Sequence, residues 1–75
     1  MEQVRRLNAV IEREDDGYVA LCPEFDIASQ GSTIEEARAN LVEALTLFFE
    51  TADGSEIDRR GHSGIFVTQV EVPVG

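Results

Sequence analysis

The residues of this sequence that could do chemistry are mainly its carboxylates. They cluster at two places, with Glu12, Glu14, Asp15 and Asp16 in the first and Glu24 and Asp26 in the second. Paired acids on neighbouring strands can hold two metal ions for phosphodiester hydrolysis. Most of these acids fall at predicted turns, however, where polar residues are common because turns are solvated. The pattern therefore does not indicate a metal-dependent nuclease, and we predict no metal site.

The single histidine and the single cysteine are weak candidates for catalysis. His62 lies in a polar segment between Gly61 and Gly64, where a solvated side chain is more common than a base or a ligand. Cys22 ends an apolar segment and fits a small buried hydrophobe better than a nucleophile. One cysteine also excludes an intramolecular disulfide and a cysteine-based zinc site. We expect no catalytic residue, no cofactor and no enzymatic activity.

The charge balance bears on the kind of partner. The chain has 75 residues, 15 of them acidic and six basic, and its net charge is -9. Non-specific nucleic-acid binding needs cations that displace phosphate counterions, so this balance argues against it. The acidity suits a basic protein partner, but it would equally keep a small protein in solution. Both interpretations stay open at this point.

One helix is firmly predicted, and the other elements are arranged around it. Apolar residues recur at spacings of three and four from Ile34 to about Ala52. Thr33 is the expected N-cap, because its hydroxyl can accept from the N–H of Glu36. The Glu36 carboxylate can reach back to the N–H of Thr33, which would complete a capping box. Gly31 lies just outside, where the chain must turn.

Four strands are predicted, three before the helix and one after it. Their ranges are 1–13, 18–22, 27–30 and 65–74, and the segment 55–64 is predicted to be a mobile connection with at most one helical turn. The order β-β-β-α-β predicts an α+β fold with a four-stranded mixed sheet. We expect the strand order 3-2-1-4, with one long helix on one face and a right-handed crossover.

The predicted sheet leaves apolar groups without cover, which indicates self-association. One helix covers one face of a sheet, yet the second strand offers Val19 and Leu21 to the other face. Ile65 and Val67 do the same in the predicted fourth strand. A domain of this size buries little core, so a second copy is the expected cover. We therefore predict a dimer or tetramer with contacts at these four residues.

Three motifs together resemble the HicB-like family of antitoxins. They are an apolar strand that ends in Pro23-Glu24, a helix start at Gly31-Ser32-Thr33-Ile34-Glu35-Glu36-Ala37, and Asn40-Leu41-Val42-Glu43-Ala44 within the helix. The resemblance covers roughly residues 7–50. The segment 66–72 resembles the closing strand of short, stand-alone members.

The resemblance implies a fold and a function. It implies a partial RNase H-like domain over residues 1–75 that lacks the catalytic acids of that fold. It also implies an antitoxin that binds and neutralises a small basic HicA-type mRNA-cleaving toxin, with Glu24 and Asp26 as expected contacts. Longer members carry a C-terminal DNA-binding domain; here none is expected, so direct DNA binding is not predicted. The alternative is a stand-alone oligomeric regulatory module without a toxin. With no apolar signal region or membrane span predicted, we expect a cytoplasmic protein.

Overall fold

Three strands followed by two helices form the fold. The elements are β1 (Val10–Glu14), β2 (Gly17–Cys22), β3 (Ile27–Gly31), α1 (Ile34–Thr51) and α2 (Gly54–Arg60). The computed structural model describes residues 4–61 and 64–75. β2 pairs antiparallel with β1 on one side and with β3 on the other, so the sheet has the order 1-2-3.

A two-residue turn joins β1 to β2. Glu14 pairs with Gly17, which leaves Asp15 and Asp16 as the turn residues. Asp15 adopts a left-handed conformation with φ 53°, which aspartate tolerates better than most residues. Gly17 is required for another reason, because a Cβ there would lie 2.7 Å from the carbonyl oxygen of Gly31. The close approach of two backbones therefore fixes the start of β2 against the end of β3.

The start of α1 is held by side-chain caps. Thr33 is the N-cap, and its hydroxyl accepts from the N–H of Glu36 at 3.0 Å. The Glu36 carboxylate accepts from the N–H of Ser32 at 2.8 Å, one residue before the position that the sequence predicts. A Cβ on Gly31 would lie 2.5 Å from the backbone nitrogen of Ala37, so only glycine fits there. The junction between β3 and α1 is thus tightly constrained.

A small core lies between the sheet and α1. Its buried members are Ala20, Cys22, Phe25, Ala37 and Leu41. α1 packs mainly on β3 and then on β2, and it has little contact with β1. Two of the five buried side chains are alanines, which lets the helix approach the sheet closely. The apolar surface that this arrangement removes from water is the main source of stability.

Three aromatic rings extend the core towards α2. Phe25, Phe48 and Phe49 contact one another with ring centroids 5.0 to 5.4 Å apart. The guanidinium of Arg5 stacks over Phe49 and that of Arg60 over Phe48, each 4.9 Å from the ring centroid. Such stacking covers the outer ring faces while the charge stays near water.

The predicted four-stranded mixed sheet of order 3-2-1-4 is wrong. The sheet has three antiparallel strands in the order 1-2-3, and residues 65–75 form no strand. The alternating apolar pattern of 65–74 is typical of a strand, but a strand also needs a neighbouring strand with which to form hydrogen bonds. The segment is exposed instead, so it gains neither that pairing nor cover from α1. The order β-β-β-α-β is replaced by β-β-β-α-α.

The predicted mobile connection at 55–64 contains a second helix instead. Asp53 is the N-cap of α2, since its carboxylate accepts from the N–H of Glu56 at 2.8 Å. Gly54 follows this cap as the first residue of α2. Ile57 packs against the core from this helix. Within the described ranges, neither helix is long and apolar enough to cross a membrane.

Candidate functional site: an acidic pocket at the hairpin end

An open pocket lies between the β1–β2 turn and the start of α1. It has a volume of about 510 Å³ and carries four carboxylates, those of Glu14, Asp15, Asp16 and Glu36. Among the described residues that line it, none is basic. The pocket therefore concentrates negative charge at one end of the molecule.

The topology of the fold brings these four acids together. The strands are antiparallel, so the turn after β1 and the junction after β3 lie at the same end of the sheet. Asp15 and Asp16 are fixed by the two-residue turn, and the hydrogen bond from Ser32 fixes the carboxylate of Glu36. The close backbone contact at Gly17 keeps the two sides of the pocket together.

The chemistry of the pocket fits a cationic side chain from a partner. Tyr18 and Val19 lie beside the carboxylates, and the Arg13 guanidinium stays 5.7 Å from the Tyr18 ring centroid. Carboxylates form short, charge-assisted hydrogen bonds with arginine and lysine, which are about twice as strong as neutral ones. Within residues 4–61 and 64–75, no group of three or more histidine, cysteine, aspartate or glutamate side chains could hold a metal ion.

Comparison with known proteins gives two informative relatives. The chain is 51% identical over 57 residues to a UPF0150 protein of Synechocystis sp., covering 73% of this chain and 76% of that protein. It is 31% identical over 67 residues to a UPF0150 protein of Helicobacter pylori strain J99, covering 88% and 93%. The chain belongs to the UPF0150 family. No protein-family model matches it, and no solved structure does.

The family name states no activity, so it does not test the HicB-like resemblance. A second UPF0150 protein of Synechocystis sp., 40% identical over 52 residues, covers 67% of this chain and 66% of that protein. The shared segments are long enough to include both the sheet and α1. These relatives show the family of the chain but not its function. The function has to be inferred from the surface of this protein.

Glu24, one of the two predicted toxin contacts, is used inside the UPF0150 fold. Its carboxylate accepts from the backbone N–H of Asn8 at 3.0 and 3.2 Å and from the Asn8 side-chain amide at 2.9 Å. The Cys22 thiol donates to it at 3.5 Å. Burial alone would raise the pKa of Glu24, but these hydrogen bonds to its charged form outweigh burial and lower the pKa. The residue joins the segment before β1 to the β2–β3 turn.

Asp26, the other predicted contact, lies free at the surface of the same turn. It is exposed and has a left-handed conformation with φ 55°. Glu24 and Asp26 lie after the end of β2, whereas Asp15 and Asp16 of the acidic pocket lie before its start. The two pairs of acids are therefore separated by the length of that strand, roughly 17 Å. The structure therefore does not bring the predicted contacts together with the pocket.

The predicted oligomer contacts occupy two separate surfaces. Val19 and Leu21 are half-buried on the face of the sheet that is turned away from α1. Val67 is 60% exposed, and Ile65 is half-buried with its carbonyl oxygen 3.4 Å from the side-chain nitrogen of Asn8. Their role in self-association stays a prediction.

The remaining candidates for chemistry give no further site. Cys22 is buried in the core, and burial raises the pKa of its thiol, so the reactive thiolate is disfavoured. His62 lies outside the described residues. The capping pattern accounts for Glu36 only as a cap and does not predict that this residue also lines the acidic pocket. The signal was available, since an antiparallel meander places the first hairpin turn beside the start of the following helix.

Proposed function

We propose that this UPF0150 protein is a HicB-like antitoxin that binds and neutralises a small basic HicA-type mRNA-cleaving toxin. The observation that carries the proposal is the pocket with four carboxylates and no described basic residue in its lining. A net charge of -9 adds a long-range attraction for a basic partner. Complementary charge of this kind speeds association and selects between partners.

The pocket offers a physical route to neutralisation. A ribonuclease binds RNA through cationic side chains that displace counterions from phosphates. An acidic protein that occupies the same cations competes directly with the RNA. Asp15 and Asp16 suit this role because a two-residue turn holds them in place before binding. Little conformational entropy is then lost when the complex forms.

The proposal gives different roles to the acids at the two ends of β2. Asp15 and Asp16 are expected to contact the toxin, and the exposed Asp26 is a candidate for a second contact. Glu24 is not expected to bind the toxin directly, because its carboxylate is already hydrogen-bonded to Asn8 and Cys22. A change at Glu24 would act mainly through the stability of the fold.

Binding kinetics with a HicA-type toxin test the proposal. The proposal predicts that a short basic protein is encoded beside this gene; it is purified as an inactive variant, and its association rate is measured at several salt concentrations. The double variant Asp15→Asn, Asp16→Asn should associate about 10-fold more slowly at low salt, because steering depends on charge. Asparagine tolerates the left-handed conformation at position 15, so the turn is preserved.

A matched pair of variants removes the same charge elsewhere. Glu43→Gln and Asp58→Asn neutralise two exposed carboxylates on α1 and α2, outside the residues that line the pocket. They should slow association clearly less than the pocket variant does. Equal slowing by both pairs would mean that only total charge matters, and the absence of any complex with the neighbouring basic protein would reject the antitoxin function.

A second candidate is a stand-alone regulatory module that associates with itself. The observation in its favour is the group of exposed apolar side chains near the C-terminal end of the described chain. The same binding experiment separates the two functions, since a stand-alone module would form no complex with the neighbouring basic protein. A cleavage assay with the active form of that protein adds a second readout, because a stand-alone module would leave its RNA cleavage unchanged.

A further inference from the structure

Residues 66–74, here called the C-terminal arm, expose large apolar side chains to an unusual degree. The exposed fractions are 89% for Phe66, 78% for Val70, 68% for Val72 and 91% for Val74. Single exposed apolar residues need no explanation, but a contiguous group marks an interaction site or a risk of aggregation. The arm is therefore a surface that should be covered in the working protein.

The arm has the side-chain pattern of a strand with one apolar face. Phe66, Val70, Val72 and Val74 alternate along it and would share one face, which we call the apolar face of the arm. The opposite face holds Val67, Gln69, Glu71 and Pro73 and is more polar. Such a pattern is typical of a strand that is buried on one side and solvated on the other.

The overall dimensions fit an arm that extends beyond the body of the protein. The radius of gyration is 14.5 Å. A compact chain of this length would have a radius of gyration of about 11 Å. The longest axis, 50 Å, is nearly twice the second axis of 29 Å.

The outer edge of β1 can accept another strand. β2 occupies one side of β1, and the described residues place no strand on its other side. Unpaired backbone groups of an edge strand are a template for a further strand. The opposite edge, at β3, is partly covered, because the Asn40 side chain donates to the carbonyl oxygen of Gln30 at 2.8 Å. β1 is therefore the more open edge.

An apolar groove adjoins this edge, between residues 4–9 and the flank of α1. It has a volume of about 830 Å³, and the α1 side chains of Leu41, Val42, Leu45 and Phe49 contribute to its lining. Val42 is 52% exposed, so the groove presents apolar surface to solvent. α1 has little contact with β1, which leaves space for a strand beneath this flank of the helix.

The charge of the groove indicates which kind of strand could bind there. Three of the six arginines of the chain, Arg5, Arg6 and Arg38, line the groove, and Glu50 is the one acidic residue among the described lining residues. A basic partner such as the proposed toxin is disfavoured there. The arm has an apolar face that matches the groove and carries no basic residue that the arginines would repel. Every copy of the chain thus carries both an arginine-rimmed apolar groove and a segment that complements it.

We propose that the C-terminal arm of one copy adds as a strand beside β1 of a second copy, which returns its own arm, to give a two-fold dimer. Each chain by itself keeps its three strands. Nine extended residues span about 30 Å, enough to follow most of residues 4–14. The arm begins next to the groove, because the side-chain amide of Asn8 donates to the carbonyl oxygen of Ile65 at 3.4 Å.

Two further observations fit this exchange. Pro73 lacks a backbone N–H, which is tolerated in an outermost strand because one side of that strand faces solvent. A standard stable interface buries about 1,600 Å², so the two exchanged arms and the edges they cover have to bury roughly this area. Reciprocal exchange also removes both open β1 edges at once, which protects them from uncontrolled pairing.

Light scattering with variants of the arm tests the proposal. The full chain should have the mass of two chains at micromolar concentration. Val70→Glu should raise the dimer dissociation constant by about 10-fold or more, because a buried valine is lost from the interface. Val67→Glu introduces the same charge on the opposite face and should weaken the dimer less. Circular dichroism verifies that both variants fold. A monomeric full chain, or equal weakening by both variants, would overturn the proposal.

Disulfide cross-linking tests which surface receives the arm. One preparation carries Glu12→Cys, on the face of β1 turned away from α1, and the other carries Gln69→Cys or Glu71→Cys. After the preparations are unfolded, mixed and refolded, a disulfide should join the two different chains. The chains are kept reduced until they have refolded and are oxidised only then, when Cys22 is buried and should not interfere. Asp58→Cys in place of Glu12→Cys is the control and should give no link; a result in which β1 links no better than this control would overturn the assignment.

Discussion

β2 and the C-terminal arm have similar sequences and opposite environments. Both are short and rich in apolar residues; β2 is apolar on both faces, whereas the arm alternates in the way that a strand with one buried face does. In β2, Ala20 and Cys22 are fully buried, whereas in the arm Phe66 and Val74 are about nine-tenths exposed. The comparison shows that side-chain pattern alone does not decide whether a segment becomes a strand.

The difference lies in the neighbours of the two segments. β2 has a hydrogen-bonding partner on each side and α1 over one face. Both of its partners are reached by turns of two and four residues, so pairing costs little loop entropy. The arm follows two helices and has no described partner strand in its own chain. If a second copy supplies this partner strand, as we propose, the arm would be paired and covered on one face, as β2 is.

The largest expected effect separates a core residue from an arm residue. Leu41 is 2% exposed, so Leu41→Ala should lower the free energy of unfolding by about 2–5 kcal/mol, through lost burial and a remaining cavity. Val72→Ala in the arm should change the stability of the monomer by no more than about 0.5 kcal/mol. Urea denaturation measures both.

Protein concentration sharpens this comparison. The effect of Leu41→Ala should be nearly the same at all concentrations, because the core lies within one chain. The effect of Val72→Ala should grow as the concentration rises, because stability then includes dimer formation. A loss of stability from Val72→Ala that does not vary with concentration would mean that the arm packs on its own chain.

The sequence predicts much of the fold where the contacts join residues that are close together in the chain. The β1–β2 turn, the meander of the first three strands and the start of α1 at Ile34 all depend on local signals such as Asp16-Gly17 and Thr33. These signals act over a few residues, so one sequence is enough to interpret them. The predicted fourth strand failed because its pairing is a long-range property that no local pattern specifies.

Two other features of the structure are not predicted from the sequence. α2 carries a capping signal, Asp53 followed three residues later by Glu56, but the polar composition of 55–64 is also typical of a connecting loop, which is what the sequence predicts there. The bonds between Asn8 and Glu24 join residues 16 positions apart, and nothing in the sequence relates them. The sequence therefore predicts Glu24 as a partner contact, although the fold itself uses its carboxylate.

An intermediate effect is expected at Glu24, which joins the segment before β1 to the turn after β2. Glu24→Gln removes the charge that accepts three hydrogen bonds from Asn8, so the free energy of unfolding at pH 7 should fall by about 1–2 kcal/mol. Asp26→Asn is the matched control, because Asp26 is exposed in the same turn. Its effect should stay within about 0.5 kcal/mol.

The pH dependence gives an independent test of the Glu24 bonds. Since the pKa of Glu24 is lower in the folded protein than in the unfolded chain, its contribution is present at neutral pH. It is lost as the pH falls below the ordinary glutamate value of about 4.3 and through the folded pKa. The gap in stability between the natural chain and Glu24→Gln should therefore narrow in acid. A gap that is constant from neutral pH to pH 3 would show that the charge of Glu24 has no such role.

The smallest expected loss of stability concerns the start of α1. This helix covers β2 but does not cover the arm. Thr33→Ala removes the hydroxyl that accepts from the N–H of Glu36, and that N–H has no partner within the helix. The free energy of unfolding should fall by about 1 kcal/mol. Thr33→Ser keeps the acceptor oxygen and should retain most of the stability, so the two variants separate the cap from other effects of the threonine. Urea denaturation decides the matter: equal midpoints for the alanine and serine variants would mean that the hydroxyl does not stabilise α1.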